Sequence, residues 1–146
     1  MRVVGIDLGT RRVGVAVSDS GGLVATPHTV VVRTGADDAD RARLVTVIND
    51  LSPEHVVVGL PLSLDGSTGS AARWAIEEAE ALRGVLDVPV ELHDERLSTV
   101  SVLRSPVLGG GRRARRKPVD GQAAAVMLQS WLDGRRSSTT GRSRGG

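Results

Sequence analysis

The 146-residue sequence contains no cysteine, no tyrosine and no phenylalanine, and its only aromatic carbocycles are Trp74 and Trp131. Without cysteine there is no disulfide framework, no thiolate zinc site and no catalytic thiol. With so few aromatics there is no platform on which successive bases of a single strand stack. The three histidines, His28, His55 and His93, are widely scattered, which argues against a His-rich metal site. No apolar run reaches the ~20 residues of a membrane span. The chain opens directly into Val3-Val4-Gly5-Ile6, without the charged region and cleavage site of a signal peptide. The expectation is a soluble, cytoplasmic protein. A chain of 15.3 kDa reads as one domain. At that length about 68–70% of the unfolded surface is buried on folding, so no covalent or metal staple is needed.

The net charge of +2 conceals a segregation. Residues 1–111 carry ten Arg against fifteen Asp and Glu, a net −5. Residues 112–146 carry nine Arg and Lys against Asp120 and Asp133, a net +7. Such asymmetry points to a polyanion meeting the C-terminal third, although a basic tail can equally be a solvated segment.

Val3 to Leu8, Val13 to Val17 and Leu23 to Val32 are apolar runs joined by short links, as in a β-meander, with Pro27 interrupting the third. From about Asp38 to Leu51 the period lengthens, and Ala42, Val45, Ile48 and Leu51 predict an amphipathic helix capped by Asp37 or Asp38. His55 to Leu60 is short and wholly apolar, as in a buried central strand, and Pro61 stops it. Ser63 to Gly69 is turn chemistry, with Gly66 and Gly69 suited to positive φ; it lacks the Gly-Lys-Ser/Thr of a P-loop. Ser70 to Leu86 is a second helix, with Ala72, Ala75, Ala79, Leu82 and Leu86 along one stripe. Pro89 to His93 is a fifth strand running into Asp94-Glu95-Arg96.

Ser98 or Thr99 can cap a short third helix that Pro106 ends. Gly109 to Lys117 cannot bury itself and reads as a mobile loop. Val119 to Leu132 is the last helix, and from Arg135 the Ser, Thr, Gly and Arg residues read as a disordered tail. The division is a domain over residues 1–133 and a basic tail over 134–146. Three antiparallel strands followed by parallel strands reached through βαβ crossovers make a mixed α/β sheet with helices on both faces. That is the ribonuclease H-like topology, which does not by itself name a function.

Three acids stand where apolar packing is expected. Asp7 ends a strand with apolar neighbours, so its carboxylate needs an offset: a cation, or a partner such as Arg11 or Arg12. Asp120 lies near the start of the last helix, where it is either a cap or a ligand on the face shared with Ala123, Ala124, Met127, Leu128 and Trp131. Asp94 and Glu95 end the fifth strand, and alternation lets only one of them face a given site. Arg96 beside them is an ion-pair partner or a phosphate contact. Acids at strand ends and a helix start, with no nearby His or Cys, resemble an oxygen-only Mg²⁺ or Mn²⁺ site for phosphoryl transfer.

Four segments carry a resemblance: Gly5 to Asp19, Val58 to Gly66, Asp94-Glu-Arg-Leu-Ser-Thr99 and Val119-Asp-Gly-Gln-Ala-Ala124. In this order and spacing they resemble the motifs of the YqgF/RuvX family, described as Holliday junction resolvases and pre-16S rRNA nucleases, over roughly residues 1–133. The resemblance implies a ribonuclease H-like nuclease whose Asp7, Glu95 and Asp120 bind Mg²⁺ or Mn²⁺ and catalyse phosphodiester hydrolysis in branched DNA or the 5′ leader of 16S rRNA. The chain departs from the family at Ser63, Ser98 and Gly121-Gln122, where Asn, Thr and Lys-Leu are common. Candidate nucleic-acid contacts are Arg11, Arg96, Arg112, Arg113, Arg115, Arg116 and Lys117. No membrane partner is expected, and the protein is expected to act as a monomer or homodimer. The competing readings are a non-catalytic nucleic-acid-binding factor in ribosome assembly or transcription, and an actin-like ATPase. A single domain of this length cannot form the two-domain clamp of the latter.

Overall fold

A computed structural model of the chain describes residues 1–62, 65–66, 68–96 and 121–145, with the backbone alone for 136–145. β1 (Val3–Leu8), β2 (Arg12–Ser18) and β3 (Ala25–Val32) form the expected meander. They are followed by α1 (Asp37–Leu51), β4 (His55–Leu60), α2 (Ser70–Val85), β5 (Val90–Asp94) and α3 (Gln122–Gly145). The five strands make one sheet in the order β3-β2-β1-β4-β5. β1–β2 and β2–β3 are antiparallel, while β1–β4 and β4–β5 are parallel. Pro27 is accommodated because β3 is an edge strand, and the ladder slips beside it between Val15 and Ala16. The helix expected after Ser98 and the loop 109–117 lie outside the described residues.

Each sheet face has its own apolar layer. Val4, Ile6, Val56, Val58 and Val90 pack with Leu44 and Ile48 of α1 and with Ala79 and Leu82 of α2. Val3, Ala16 and Val57, of opposite parity, pack with Ala124, Met127, Leu128 and Trp131 of α3. The α2 stripe is buried as its spacing predicts: Ala72, Ala75, Ala79, Leu82 and Leu86 are all in the core. Among the described residues, no helix is long and apolar enough to cross a membrane.

Four local expectations are corrected. In α1, Ile48 is buried and Val45 and Leu51 pack against the core as expected, but Ala42 is exposed, and Leu44 and Asp40 are buried in addition. Ala42 and Leu51 are two and a half turns apart at about 3.6 residues per turn, so they cannot share a face. Neither Asp37 nor Asp38 is the N-cap. Ala36 occupies that position with no side-chain cap bond, and Asp37 and Asp38 fall in the first turn, where acids suit the helix dipole. Gly66 has the positive φ of +86°. Gly69 instead has φ −88° and is the N-cap of α2. The last helix begins at Gln122 rather than Val119. It also continues through Gly134 and Gly141 to Gly145, over the expected tail; each helical glycine costs about 1 kcal/mol and does not by itself oblige the helix to stop.

The start of α1 is organised by Asp40. Its carboxylate accepts from Thr34 N at 3.0 and 3.1 Å, Thr34 Oγ1 at 2.8 Å, Gly35 N at 3.3 Å and Arg43 Nη2 at 2.6 Å. These donors, the Thr34 amide first, hold its pKa at about 2 against an ordinary 3.8. A carboxylate depressed on folding stabilises fully above its unfolded pKa and loses that contribution as pH falls through the folded one. The wild-type urea midpoint should therefore decline between about pH 4 and pH 2. Asp40→Asn should have a lower midpoint at pH 7 and a shallower decline in that window.

Candidate active site

β1, β4 and β5 run parallel, so their C-terminal ends share one edge of the sheet, the usual location of sites in such sheets. Strand alternation then decides which face each strand side chain takes. Val4 and Ile6 face α1 and α2, which turns Asp7 toward the α3 side. On β5, Val90 and Leu92 pack toward α1 and α2. Glu91 and His93 face α3, where Trp131 Nε1 donates to Glu91 Oε2 at 2.6 Å and His93 Nε2 lies 3.1 Å from Ser130 Oγ. Glu95 lies just past the end of β5, where the chain turns helical, and forms a side-chain hydrogen bond with Asp7.

This bond spans the intervening strand β4, and Gly59 makes it possible. A Cβ placed on Gly59 would lie 2.4 Å from Glu95 Oε1 and 3.0 Å from Glu95 Cδ. The carboxyl of Glu95 therefore occupies the space that a side chain on β4 would fill. The sequence carries a sign of this, a lone glycine near the end of the otherwise apolar strand His55–Leu60, since strand glycines often mark a close approach. Burial is the main cause that raises the Glu95 pKa, to about 8, followed by its hydrogen bond to Asp7 and repulsion from Asp7 and Asp94. Two carboxyl groups in hydrogen-bond contact retain a proton between them when no cation is present.

Asp94 faces the other way and belongs to Arg96. It accepts from Arg96 N at 2.9 Å, Nε at 3.0 Å and Nη2 at 2.6 Å. These bonds, the side-chain ones first, hold its carboxyl below the usual range. β5 thus ends at Asp94, one residue short of the expectation, and of the two acids it is Glu95 that lies beside Asp7. Arg96 remains about a third exposed, with Nη1 3.4 Å from where a Cβ on Gly66 would be. Arg11 is exposed in the turn after β1.

The N-terminal end of α3 closes on the same place. A Cβ on Gly14, the β2 partner of Asp7, would lie 3.5 Å from Gly121 Cα and 3.8 Å from Asp7 Cβ. Asp120, Arg112, Arg113, Arg115, Arg116 and Lys117 lie outside the described residues. Among the described residues, no cluster of three or more His, Asp or Glu side chains forms a ready metal cage.

A group whose folded pKa is raised contributes stability that is fully present below its unfolded pKa and is lost as pH rises through the folded value. In EDTA, the melting temperature should therefore fall between about pH 5 and pH 8. Glu95→Gln should remove most of that slope, because an amide does not titrate. Gly59→Ala should do the same by displacing the Glu95 carboxyl. A wild-type slope in both variants would show that the pair does not share a proton.

Residues 1–134 match the RuvX family, described as Holliday junction resolvase. A protein of Myxococcus xanthus named "Putative pre-16S rRNA nuclease" is 48% identical over 141 residues, covering 96% of this chain and 93% of the relative. A protein of the same name from a Mycobacterium species (strain KMS) is 46% identical over 147 residues, covering 99% and 87%. In fold, the chain is similar to a solved structure of T. thermophilus RuvC in complex with Holliday junction substrate. The TM-score is 0.63 at 18% identity, over 94% of this chain and 96% of that one. A second structure, of Thermus thermophilus RuvC, gives 0.60 at 19% identity, over 94% of this chain and 97% of that one. The mixed sheet is thus the ribonuclease H-like fold, and the chain belongs to the RuvX, or Holliday junction resolvase, family of nucleases.

Proposed function

We propose that this nuclease is a metal-dependent endonuclease acting on structured nucleic acid, either Holliday-type branched DNA or the 5′ end of pre-16S rRNA. The observation that carries the reading is the Asp7–Glu95 pair: two half-buried carboxyl groups drawn together at the strand-end edge, with burial holding a proton on Glu95. A divalent ion fits where that proton sits, because it offsets both carboxylates and accepts oxygen ligands. Asp7 and Glu95 would hold Mg²⁺ or Mn²⁺ together with Asp120, the residue before Gly121 in the sequence. When bound, such ions activate water and stabilise the leaving oxygen in a two-metal hydrolysis.

The protein's own part is positional. β1 carries Asp7 and the turn at the end of β5 carries Glu95, and Gly59 leaves the gap in which they meet. Glu95 must release its proton as an ion enters, so affinity should rise with pH toward about 8. Arg11, Arg96 and the basic residues Arg112, Arg113, Arg115, Arg116 and Lys117 would grip backbone phosphates of the substrate.

A cleavage panel tests this. A four-way DNA junction, a linear duplex and a pre-16S rRNA leader are each incubated with Mg²⁺, Mn²⁺ or EDTA. Cleavage should need the metal, and Asp7→Asn and Asp120→Asn should each lower it by orders of magnitude with near-native melting temperatures. Full activity in excess chelator overturns the metal reading. Tight binding without metal-dependent cleavage identifies a non-catalytic binding factor instead. A second test concerns the basic residues: changing Arg112, Arg113, Arg115 and Arg116 to Ser should weaken binding. It should also lower the log–log salt slope by about 0.7–0.9 for each phosphate that is no longer neutralised. An unchanged affinity and slope would remove these residues from the interface.

A further inference from the structure

Arg33 is the first residue after β3, and nothing in its neighbourhood in the sequence marks it. Its backbone N donates to Arg11 O at 2.8 Å. Its Nη1 donates to Thr10 O at 2.9 Å and to Gly9 O at 3.4 Å. A single residue thus takes three successive carbonyls of the turn that follows Asp7. The turn is tight: Gly9 N donates to Arg12 O at 2.9 Å, and a Cβ on Gly9 would lie 2.5 Å from that oxygen.

The guanidinium is itself held by two other elements. Nη2 lies 3.3 Å from Asp37 Oδ1 at the start of α1. The guanidinium carbon stands 4.2 Å from the centre of the Trp74 ring on α2, and the side chain is only 19% exposed. A stacked, ion-paired arginine has a planar fork already in place, so little rotamer freedom remains to be given up. α1 and α2 cover the sheet face opposite α3, whereas Asp7 points toward α3. The Gly9 and Thr10 carbonyls are therefore held by a guanidinium that is itself anchored on the α1–α2 side, away from the carboxylate pair. Were they turned inward, their negative ends would face the acids and any phosphate approaching them.

We infer that Arg33 is a positioning residue for the active site: it fixes the turn that follows Asp7, and so the place of the Asp7 carboxylate, with its charge anchored by Asp37 and Trp74. The inference rests on the proposed metal-dependent reading. Residues that orient ligands without touching the metal commonly change affinity by about 10–100-fold when replaced.

The test compares full-length wild type, Arg33→Gln and Arg33→Lys. The readouts are melting temperature, Mn²⁺ affinity by titration calorimetry, and kcat and KM on whichever substrate is cleaved. Arg33→Gln should weaken Mn²⁺ binding at least about tenfold. It should lower kcat by a similar factor, leave KM within about twofold and keep a cooperative unfolding transition. Arg33→Lys restores the charge without the planar fork and should fall between the two. It also keeps the test informative should Arg33→Gln fold poorly. A purely structural role would move the melting temperature and leave Mn²⁺ affinity and kcat of the folded protein unchanged; that result overturns the inference. If the wild type itself binds no Mn²⁺ and needs none for cleavage, the metal reading fails and the inference falls with it.

Discussion

The carboxyl of Glu95 rests against Asp7 in the space where β4 carries no side chain, and much of the architecture serves that one contact. Two carboxyl groups brought together away from water are unfavourable unless they retain a proton or gain a cation. Such a contact persists only where the backbone around it is over-determined. Here β1, β4 and β5 are bound by continuous parallel ladders on either side of the gap. α3 packs down on the same face through Ala124, Met127, Leu128 and Trp131. Its first turn reaches Gly14, next to Asp7.

The site also depends on which face each acid occupies. Asp94 and Glu95 are adjacent and chemically alike, yet one is neutralised by Arg96 and the other is held against Asp7. Asp94 is the last residue of β5 and Glu95 the first of the helical turn that follows, and the change of backbone at that point separates them. The same two-sidedness distributes charge. α1 and α2, on the side away from Asp7, carry Asp37, Asp38, Asp40, Asp50, Glu77, Glu78 and Glu80. They are joined by the Arg41–Glu78 pair, with Nε 3.1 Å from Oε2. Against these seven acids the two helices carry Arg41, Arg43, Arg73 and Arg83, several of them paired with the acids, so the face is only mildly acidic. The basic residues of the C-terminal third follow the strand-end edge in the chain.

Strand positions, the element order and the α2 stripe are legible in the sequence because each rests on local periodicity. Consecutive residues of a strand alternate faces and every third or fourth residue of a helix shares one, whatever the rest of the chain does. The four motifs of the resemblance are legible for a similar reason, since each is contiguous. The α1 stripe is right at Val45, Ile48 and Leu51 but fails at Ala42, because residues at intervals of three drift around the helix and the buried face begins at Asp40 and Leu44. The α1 start is ambiguous in the sequence because several acids crowd it, and only the bend at Thr34–Gly35 selects Asp40 as the acceptor.

What the sequence by itself determined is the fold class, the strands and the acids that are candidates for a site, because hydrophobic periodicity and contiguous motifs are encoded over a few residues. What only the tertiary structure decided is which acid meets which. Glu95 reaches Asp7 through a vacancy on a third strand, and the turn after Asp7 is held by Arg33 between Asp37 and Trp74. These interactions join residues distant along the chain. Their geometry is set by strand order and by the absence of a side chain at Gly59, and neither is expressed in the neighbourhood of the residues concerned.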